Sequence, residues 1–367
     1  MKQGWEYKKF ETCINKTPKP KQVKTEDYNS GTKYPIVSQE DKLISGYYDD
    51  ESYVFHIDSP VVIFGDHTRV LKYVDFDFVV GADGVKIISP KQDLNAKFLL
   101  YYLQWYKIPN LGYSRHYKLL KELNIPLPPK STQLAIVSEL DKINELIRLK
   151  KEQLKDFDNL AQSLFYEMFG DPVENERGWE VKMLGDVCSV GTGSTPNRRN
   201  KDFYENGIYP WVKSTEVCNL PIYSVEEYIT QDALDKTNCT LYPQNTILMA
   251  MYGQGKTRGQ IGLLKIEACT NQAVAAIVPT KEVVDENYIC LHLMLMYEHI
   301  RNMARGGNQA NLNLSIVKSI QILLPPLHLQ HLFAHRIELI EHQKSEVQKA
   351  ITDLETLLAS RMQYWFE

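Results

Sequence analysis

The chain has 367 residues, of which 43% are hydrophobic and 24% are charged, and its formal net charge is −4. These values are typical of a folded protein with two or more domains, and they exclude a disordered chain and a uniformly basic nucleic-acid binder. The start of the chain has no apolar leader, the apolar runs are too short to cross a bilayer, and the six cysteines form no C-x-x-C pair, so we expect a cytoplasmic protein with reduced thiols and no metal site.

The two halves of the chain repeat one another. Gly4-Trp5-Glu6-Tyr7-Lys8 recurs as Gly178-Trp179-Glu180-Val181-Lys182. Strand-like apolar segments at 61–64, 78–80 and 85–88 are followed by similar segments at 246–251 and 273–278. Residues 123–129 end in Pro-Pro and precede Gln133, as residues 320–326 end in Pro-Pro and precede Gln330. This self-similarity predicts an internal duplication of a domain that mixes short strands with a few helices.

A heptad pattern follows each Pro-Pro pair. Apolar residues recur at alternating spacings of three and four, which predicts a long helix with a narrow apolar seam, and two copies in one register favour pairing with each other. The predicted seam consists of Leu140, Ile143, Ile147, Leu154, Phe157, Leu164 and Met168 in the first helix and Ile337, Ile340, Val347, Ile351, Leu354, Leu358 and Trp365 in the second. We therefore predict a first domain at 1–130, a first helix at 131–170, a second domain at 171–327 and a second helix at 328–367.

The order of these features resembles the specificity subunit of type I restriction-modification enzymes. The resemblance rests on the Gly-Trp-Glu starts, the Ile125–Pro129 entry followed by Gln133, the Met168–Pro172 exit and the Gly65–Arg69 segment, and it covers essentially the whole chain. It implies an α+β fold in which two duplicated target-recognition domains are separated and braced by two long helices forming an antiparallel coiled coil.

The same resemblance implies a non-catalytic subunit that binds double-stranded DNA in a sequence-specific way. Each domain would read one half of a bipartite target. The implied partners are two methyltransferase subunits, which bring S-adenosylmethionine, and motor-endonuclease subunits, which bring ATP and Mg²⁺. No cofactor is implied for this chain, and no membrane association.

Candidate DNA-contacting residues lie in polar loops. Base edges are read by Arg, Lys, Asn and Gln side chains, while phosphate contacts hold the protein in place. In the first domain the candidates are Lys19, Lys21, His67, Arg69, Arg115 and His116. In the second they are Arg198, Arg199, Lys201, Lys213, Gln254, Lys256, Thr257, Arg258, Asn308, Gln309 and Asn311. The glycine-flanked segments 255–258 and 307–309 are the strongest candidates, because glycine lets a backbone approach DNA closely.

Three alternative functions stay open at this point. Residues 250–257 approximate a phosphate-binding loop, which would require a helix directly after Thr257. Asp171 with Glu180 and Lys182 loosely matches the D…E-x-K pattern of nucleases. The third alternative is a scaffold that uses its coiled coil without binding DNA. Neither Pro-Pro pair has the Asn or Asp before it and the aromatic residue after it that a methyltransferase of exocyclic amines would need.

Overall fold

A computed structural model of the protein describes residues 4–112, 114–253, 255–303 and 311–367. The chain divides into two units, Met1–Glu152 with Gln348–Glu367, and Gln153–Val347. Within the described residues, no helix is both long and apolar enough to cross a membrane.

The first unit contains an α+β domain and the beginning of a long helix. Its strands are β1 (Glu6–Lys9), β2 (Tyr34–Val37), β3 (Gly46–Tyr48), β4 (Val54–Phe55), β5 (Val61–Gly65), β6 (Leu71–Val74), β7 (Phe78–Val80), β8 (Val85–Ile88) and β9 (Asn124–Leu127). Its helices are α1 (Phe10–Cys13), α2 (Ala96–Tyr106), α3 (Tyr117–Lys121) and the first part of α4 (Lys130–Phe169). The strands form sheets in the orders β6-β5-β8 and β3-β2-β7-β4, and β1 pairs with β9.

The second unit is built in the same way. Its strands are β10 (Glu180–Met183), β11 (Cys188–Thr192), β12 (Tyr209–Val212), β13 (Pro221–Ile222), β14 (Tyr228–Ile229), β15 (Ile247–Ala250), β16 (Ile261–Leu264), β17 (Cys269–Thr270), β18 (Val274–Pro279) and β19 (Gln321–Leu324). Its helices are α5 (Leu184–Val187), α6 (Gln231–Lys236), α7 (Glu286–Leu295), α8 (Tyr297–Met303), α9 (Leu314–Lys318) and the first part of α10 (Leu327–Phe366). The sheet orders are β11-β18-β15-β16-β13 and β14-β12-β17, and β10 pairs with β19.

The strand pairing shows that the two domains are copies of one fold. In the first, β5 lies antiparallel to both β6 and β8, and β2 lies parallel to β7. In the second, β15 lies antiparallel to both β16 and β18, and β12 lies parallel to β17. The five predicted strand segments coincide, to within a residue or two, with β5, β7, β8, β15 and β18.

The central strands are buried on both faces. All five residues of β5 are buried, and alternate side chains point to opposite sides of the strand. Val62 and Phe64 pack into the cluster that contains α2, whereas Val61 and Ile63 pack with residues of β2 and β7. A strand covered on both faces reads as a continuous apolar run rather than as an alternating pattern, which is why β5 and β15 were recognisable from sequence.

A buried glutamine joins each domain to the long helix that follows it. In the first unit the Gln133 side-chain amide donates to Asp93 O and Pro128 O, both at 2.9 Å, and its Oε1 accepts from Asn95 N at 2.8 Å. In the second unit Gln330 donates to Pro325 O at 2.8 Å and to Val283 O at 3.4 Å, and accepts from Asp285 N at 3.0 Å. The same link therefore fixes the start of α4 and the start of α10.

Each unit contains an antiparallel pair of helical segments. In the first, Glu139 of α4 contacts Arg361 and Trp365 of α10, and farther along α4 Lys151 contacts Glu355 at 2.8 Å. Residue numbers thus rise along one helix as they fall along the other.

The second unit repeats this antiparallel arrangement with different residues. Lys344 binds Asp158 at 2.8 Å, and the rings of Phe165 and Phe333 lie 5.7 Å apart. Every predicted seam residue is buried or half-buried, as a heptad seam requires. The prediction missed Phe165, Phe169 and Phe366, which are also buried.

Candidate nucleic-acid interface

A cleft in the first domain collects three cationic side chains. Lys19, Lys86 and Arg115 line this cleft, which has a volume of about 440 Å³. Lys86 lies 3.7 Å from the buried carboxylate of Asp66 and 5.7 Å from the ring centroid of Tyr117. Lys19 and Arg115, which are far apart in sequence, are therefore brought together. Asp66 and Asp83 also line the cleft, so the cations available to an anionic ligand such as a DNA backbone are Lys19 and Arg115, which form no ion pair among the described residues.

The loop after β5 lies beside this cleft. His67 is exposed, and its backbone N–H donates to the side chain of Gln39 at 3.3 Å. Arg69 is half-buried with a positive φ of 65°, and it donates to Ile108 O at 3.2 Å. Lys21 is exposed and donates to Ser52 Oγ at 3.0 Å.

His116 does not have the role that we expected. Its side chain is fully buried, so it is not available to DNA. Its Nε2 accepts from Leu111 N at 2.9 Å, which requires Nδ1 to carry the proton and donate to Asp66 O at 2.8 Å. The expectation was wrong because the sequence does not reveal Asp66 as a partner. His116 instead holds two loops of the first domain together.

The loop between β15 and β16 is the corresponding feature of the second domain. Lys256 is exposed, whereas Thr257 and Arg258 are half-buried. The neighbouring Gly255 and Gly259 have positive φ angles of 62° and 87°. These left-handed conformations favour glycine and turn the chain sharply at both ends of the 256–258 segment.

Side chains from α8 support this loop from behind. Arg301 donates to Gly255 O at 2.8 Å and to Arg258 O at 3.3 Å. Tyr297 donates its hydroxyl to Lys256 O at 2.5 Å, and its ring centroid lies 5.1 Å from the Arg301 guanidinium. Three carbonyls of the loop are therefore held from one short helix.

Asn311 lies close to this loop. It is exposed, and the backbone N–H of the next residue, Leu312, donates to Met251 O at 3.2 Å, just beyond β15. Gln254, Asn308 and Gln309, which we also predicted to contact DNA, lie outside the described residues.

Two predicted basic residues of the second domain are occupied by carboxylates. Lys213 lies 2.7 Å from Glu226 and 3.0 Å from Glu227, and these contacts raise the pKa of Lys213 to about 12. Arg198 pairs with the same Glu227, which raises the pKa of Arg198, and it stacks on Tyr204 and Trp211 at 4.7 and 4.8 Å. Arg198 and Lys213 are therefore not free cations in this structure, because carboxylates more distant in sequence pair with them, and their predicted contact with DNA stays a prediction.

The two remaining candidates of this segment are open to solvent. Arg199 is exposed and makes no ion pair within the described part of the chain. The side chain of Lys201 is 82% exposed and lies 3.7 Å from Glu205. An ion pair of this length at the surface contributes little to stability, so Lys201 is available to bind another anion.

The segments that resemble a phosphate-binding loop and a nuclease motif do not form the corresponding sites. After Thr257 the chain continues into β16, so no helix follows to hold phosphates on its amino-terminal amides. Glu180 and Lys182 lie on β10 and pair with each other at 2.8 Å. Among the described residues, no group of three or more His, Cys, Asp or Glu side chains could hold a metal ion.

Sequence reasoning missed three residues at these surfaces. Lys86 is the one polar residue of an otherwise apolar strand, which is a signal that could have been noticed. Tyr297 and Arg301 carry no such signal. They lie about forty residues after the loop that they support, and only the fold brings them to it.

Comparison with known proteins identifies the family. The family model described as type I restriction modification DNA specificity domain matches residues 2–156 and again residues 176–355. The EcoR124I/EcoR124II specificity subunit of Escherichia coli is 26% identical over 323 residues, covering 84% of this chain and 79% of that protein. The MjaIX specificity subunit of Methanocaldococcus jannaschii is 25% identical over 224 residues, 56% of this chain and 51% of that protein.

The fold is also similar to that of a solved structure. The S subunit of a type I restriction-modification system from M. genitalium superposes with a TM-score of 0.63 at 15% identity, covering 99% of this chain and 96% of that one. This likeness supports the fold, and the match of the family model to both repeats decides the family. The chain therefore belongs to the type I restriction-modification DNA specificity subunits.

Proposed function

We propose that the chain recognises a bipartite double-stranded DNA target and that each domain reads one half of it. One observation carries the proposal: equivalent loops of the two copies present different side chains. The loop after β5 carries His67 and Arg69, whereas the loop after β15 carries Lys256 and Arg258. A duplicated fold with different groups at the same place suits two different half-sites, because bases are distinguished by donors and acceptors on their edges.

The distribution of charge supports separate sets of residues for contacts to the DNA backbone and for contacts to the bases. The chain as a whole has a net charge of −4, so it has no general attraction for DNA. The exposed cations Lys19, Arg115, Arg199, Lys201 and Lys256 would supply phosphate contacts and hold the domains in register. In each domain the loop after the central strand would then meet base edges.

We further propose that the chain acts with methyltransferase and motor-endonuclease subunits. Two methyltransferase subunits would bring S-adenosylmethionine, and the motor subunits would bring ATP and Mg²⁺, so this chain would direct methylation and cleavage without performing either. Absence of turnover of ATP or DNA by the purified chain is the expected result. If the purified chain did turn over ATP, and if Lys256→Ala abolished that activity, the chain would instead be a nucleotide-using enzyme.

Selection from a random duplex library tests DNA recognition directly. The full chain, assembled with its methyltransferase subunits, is expected to enrich two short conserved blocks separated by a gap of fixed length. Thr257→Ala with Arg258→Ala should relax only one block, and His67→Ala with Arg69→Ala should relax only the other. A lost bidentate base contact would cost about 1–3 kcal/mol of discrimination.

Two outcomes would contradict the proposal. If the parent complex enriches no sequence, the chain is a scaffold rather than a reader. If either pair of substitutions alters both blocks equally, the loops do not belong to separate readers.

A further inference from the structure

We propose that Arg301 is a positioning residue that determines the specificity of the second domain, and that His116 has the same role in the first. The inference rests on the proposed function and extends it to residues that would not touch DNA themselves. In both domains a side chain from a later segment ties down the loop that follows the central strand.

Arg301 holds its loop through the backbone. Its guanidinium donates to Gly255 O and Arg258 O, the two carbonyls that flank Lys256 and Thr257. Tyr297 adds a third contact by donating to Lys256 O. The loop carbonyls are thereby held towards α8, and the exposed Lys256 side chain is presented to solvent.

The packing between loop and helix leaves little freedom. A Cβ atom added at Gly259 would lie 3.1 Å from Arg301 Cγ, and the φ of 87° at this residue disfavours other side chains. The loop therefore rests directly on Arg301. Loss of the guanidinium would remove its two hydrogen bonds to the loop and a third to the Tyr297 hydroxyl, whereas the contact with Cγ would remain.

Arg301 is also a cation that is paired with carbonyl oxygens rather than with a carboxylate. No described Asp or Glu forms an ion pair with it. Its positive charge therefore remains behind the loop and adds to the attraction for phosphate. A variant that keeps this charge is therefore needed to separate its effect from the positioning role.

His116 performs the equivalent task with different chemistry. Its ring donates to Asp66 O and accepts from Leu111 N, its own backbone N–H donates to Asp66 O at 2.9 Å, and Tyr117 N donates to Asp66 Oδ1 at 2.8 Å. The second domain has a matching backbone link from Leu312 N to Met251 O. Both domains thus join the same two loops into one surface.

The physical expectation is a loss of discrimination rather than of affinity. Phosphate contacts tolerate small displacements, whereas base contacts require the side chain to sit within a fraction of an ångström of its partner. A loosened loop would still bind DNA, but it would distinguish the correct bases poorly.

The experiment compares half-site discrimination in Arg301→Met, Arg301→Lys and Tyr297→Phe with the parent complex, using the same library selection. Arg301→Met and Arg301→Lys should each reduce discrimination at the second domain's half-site by about tenfold, and Tyr297→Phe by less. Arg301→Lys keeps the charge but not the planar fork of donors, so failure of Lys to rescue separates positioning from charge. Arg336→Met, at an exposed position on α10, is the matched control and should behave as the parent.

The first domain supplies a reciprocal test. His116→Asn keeps a donor near Asp66 O, but its shorter side chain does not reach Leu111 N as Nε2 does, and it should relax only the other half-site. Thermal unfolding and binding to non-specific DNA should stay close to the parent in Arg301→Lys and Tyr297→Phe, which keep the positive charge at residue 301. If Arg301→Met does not fold, Tyr297→Phe, which loses one hydroxyl, decides the question.

The outcomes distinguish this inference from the proposed function. Parent-like discrimination by Arg301→Met, with Thr257→Ala and Arg258→Ala together still relaxing one half-site, overturns the positioning role and leaves the proposed function intact. Equal changes at both half-sites would indicate general destabilisation and also overturn it. If the parent enriches no sequence, the proposed function itself fails.

Discussion

The surroundings of a single lysine decide whether it can bind phosphate. Lys213 lies between two carboxylates, whereas Lys256 is exposed on its loop. Each phosphate contact adds close to one to the slope of log affinity against log salt concentration. We expect Lys256→Ala to reduce that slope by about one and Lys213→Ala to leave it unchanged. Titrations between about 50 and 200 mM salt measure it. An equal reduction in both variants would show that DNA displaces Glu226 and Glu227.

One carboxylate of the first helix pair should make stability depend on pH. The Glu139 carboxylate accepts from Arg361 and from Trp365 Nε1, and the hydrogen bond from Arg361 lowers the pKa of Glu139 below its ordinary value of 4.5. Its contribution is therefore complete above pH 4.5 and is lost as the pH falls through the lowered pKa.

Glu139→Gln should consequently destabilise the protein by about 1 kcal/mol at neutral pH, and the difference should shrink in acid. Urea denaturation at about pH 7 and about pH 3.5 measures the effect. Glu145→Gln, which removes an exposed carboxylate that pairs with Arg148 within α4, is the control and should have a smaller effect. A difference that grows in acid would contradict the assigned direction of the shift.

Individual contacts were the least predictable part of the molecule. Lys213 and Arg198 appear as free cations in sequence because Glu226 and Glu227 lie 13 to 29 residues away from them. In the sequence His116 looks like an ordinary polar loop residue, because its partner Asp66 lies 50 residues away. The sequence shows which residues are charged or polar. It does not show which partners these residues meet, because the partners depend on the paths of the loops.

Periodic elements were predicted more successfully. Ile143, Ile147 and Ile351 are buried because a heptad repeat directs one face of a helix towards its partner over its whole length. Phe165 and Phe169 were missed because they lie beside the seam, where α4 packs against α7. Because α4 also packs against α7, it has buried positions outside the single apolar stripe that the heptad pattern marks.

The buried glutamines should be essential to the joint between domain and helix. Gln330→Leu would leave Asp285 N and Pro325 O without their partners in a buried place. An unpaired buried group costs about 1–3 kcal/mol, so we expect a clear fall in the midpoint of thermal unfolding. Gln343→Leu, at an exposed position of the same helix, should change it little. Equal stability of the two variants would show that the hydrogen bonds of Gln330 contribute nothing net.

At the scale of the molecule, the two long helices run from one unit into the other. The boundary between the units falls after Glu152 in α4 and after Val347 in α10. A heptad inserted at both points keeps the seam in register and lengthens each helix by about 10.5 Å. At about 3.4 Å per base pair, this corresponds to about three base pairs of duplex.

We expect the doubly lengthened chain to prefer a gap about three base pairs longer or to bind more weakly, because three base pairs also turn the groove by about a hundred degrees. The bases read in each half-site should not change. Library selection with the parent and the insertion variant measures both quantities. Altered half-site bases with an unchanged gap would show that the helices do not set the spacing.

The first unit is built from two separate stretches of the chain, Met1–Glu152 and Gln348–Glu367, and this affects how it forms during synthesis on the ribosome. Phe366 is buried, and its ring lies 5.5 Å from Phe98 and 5.9 Å from Trp105. The ribosome makes the whole of residues 153–347 between these partners, which takes about 10–40 s at typical rates of translation. The domain that is made first is therefore completed last. Until residues 348–367 emerge, an aromatic surface of the nascent chain stays open to chaperones and to aggregation.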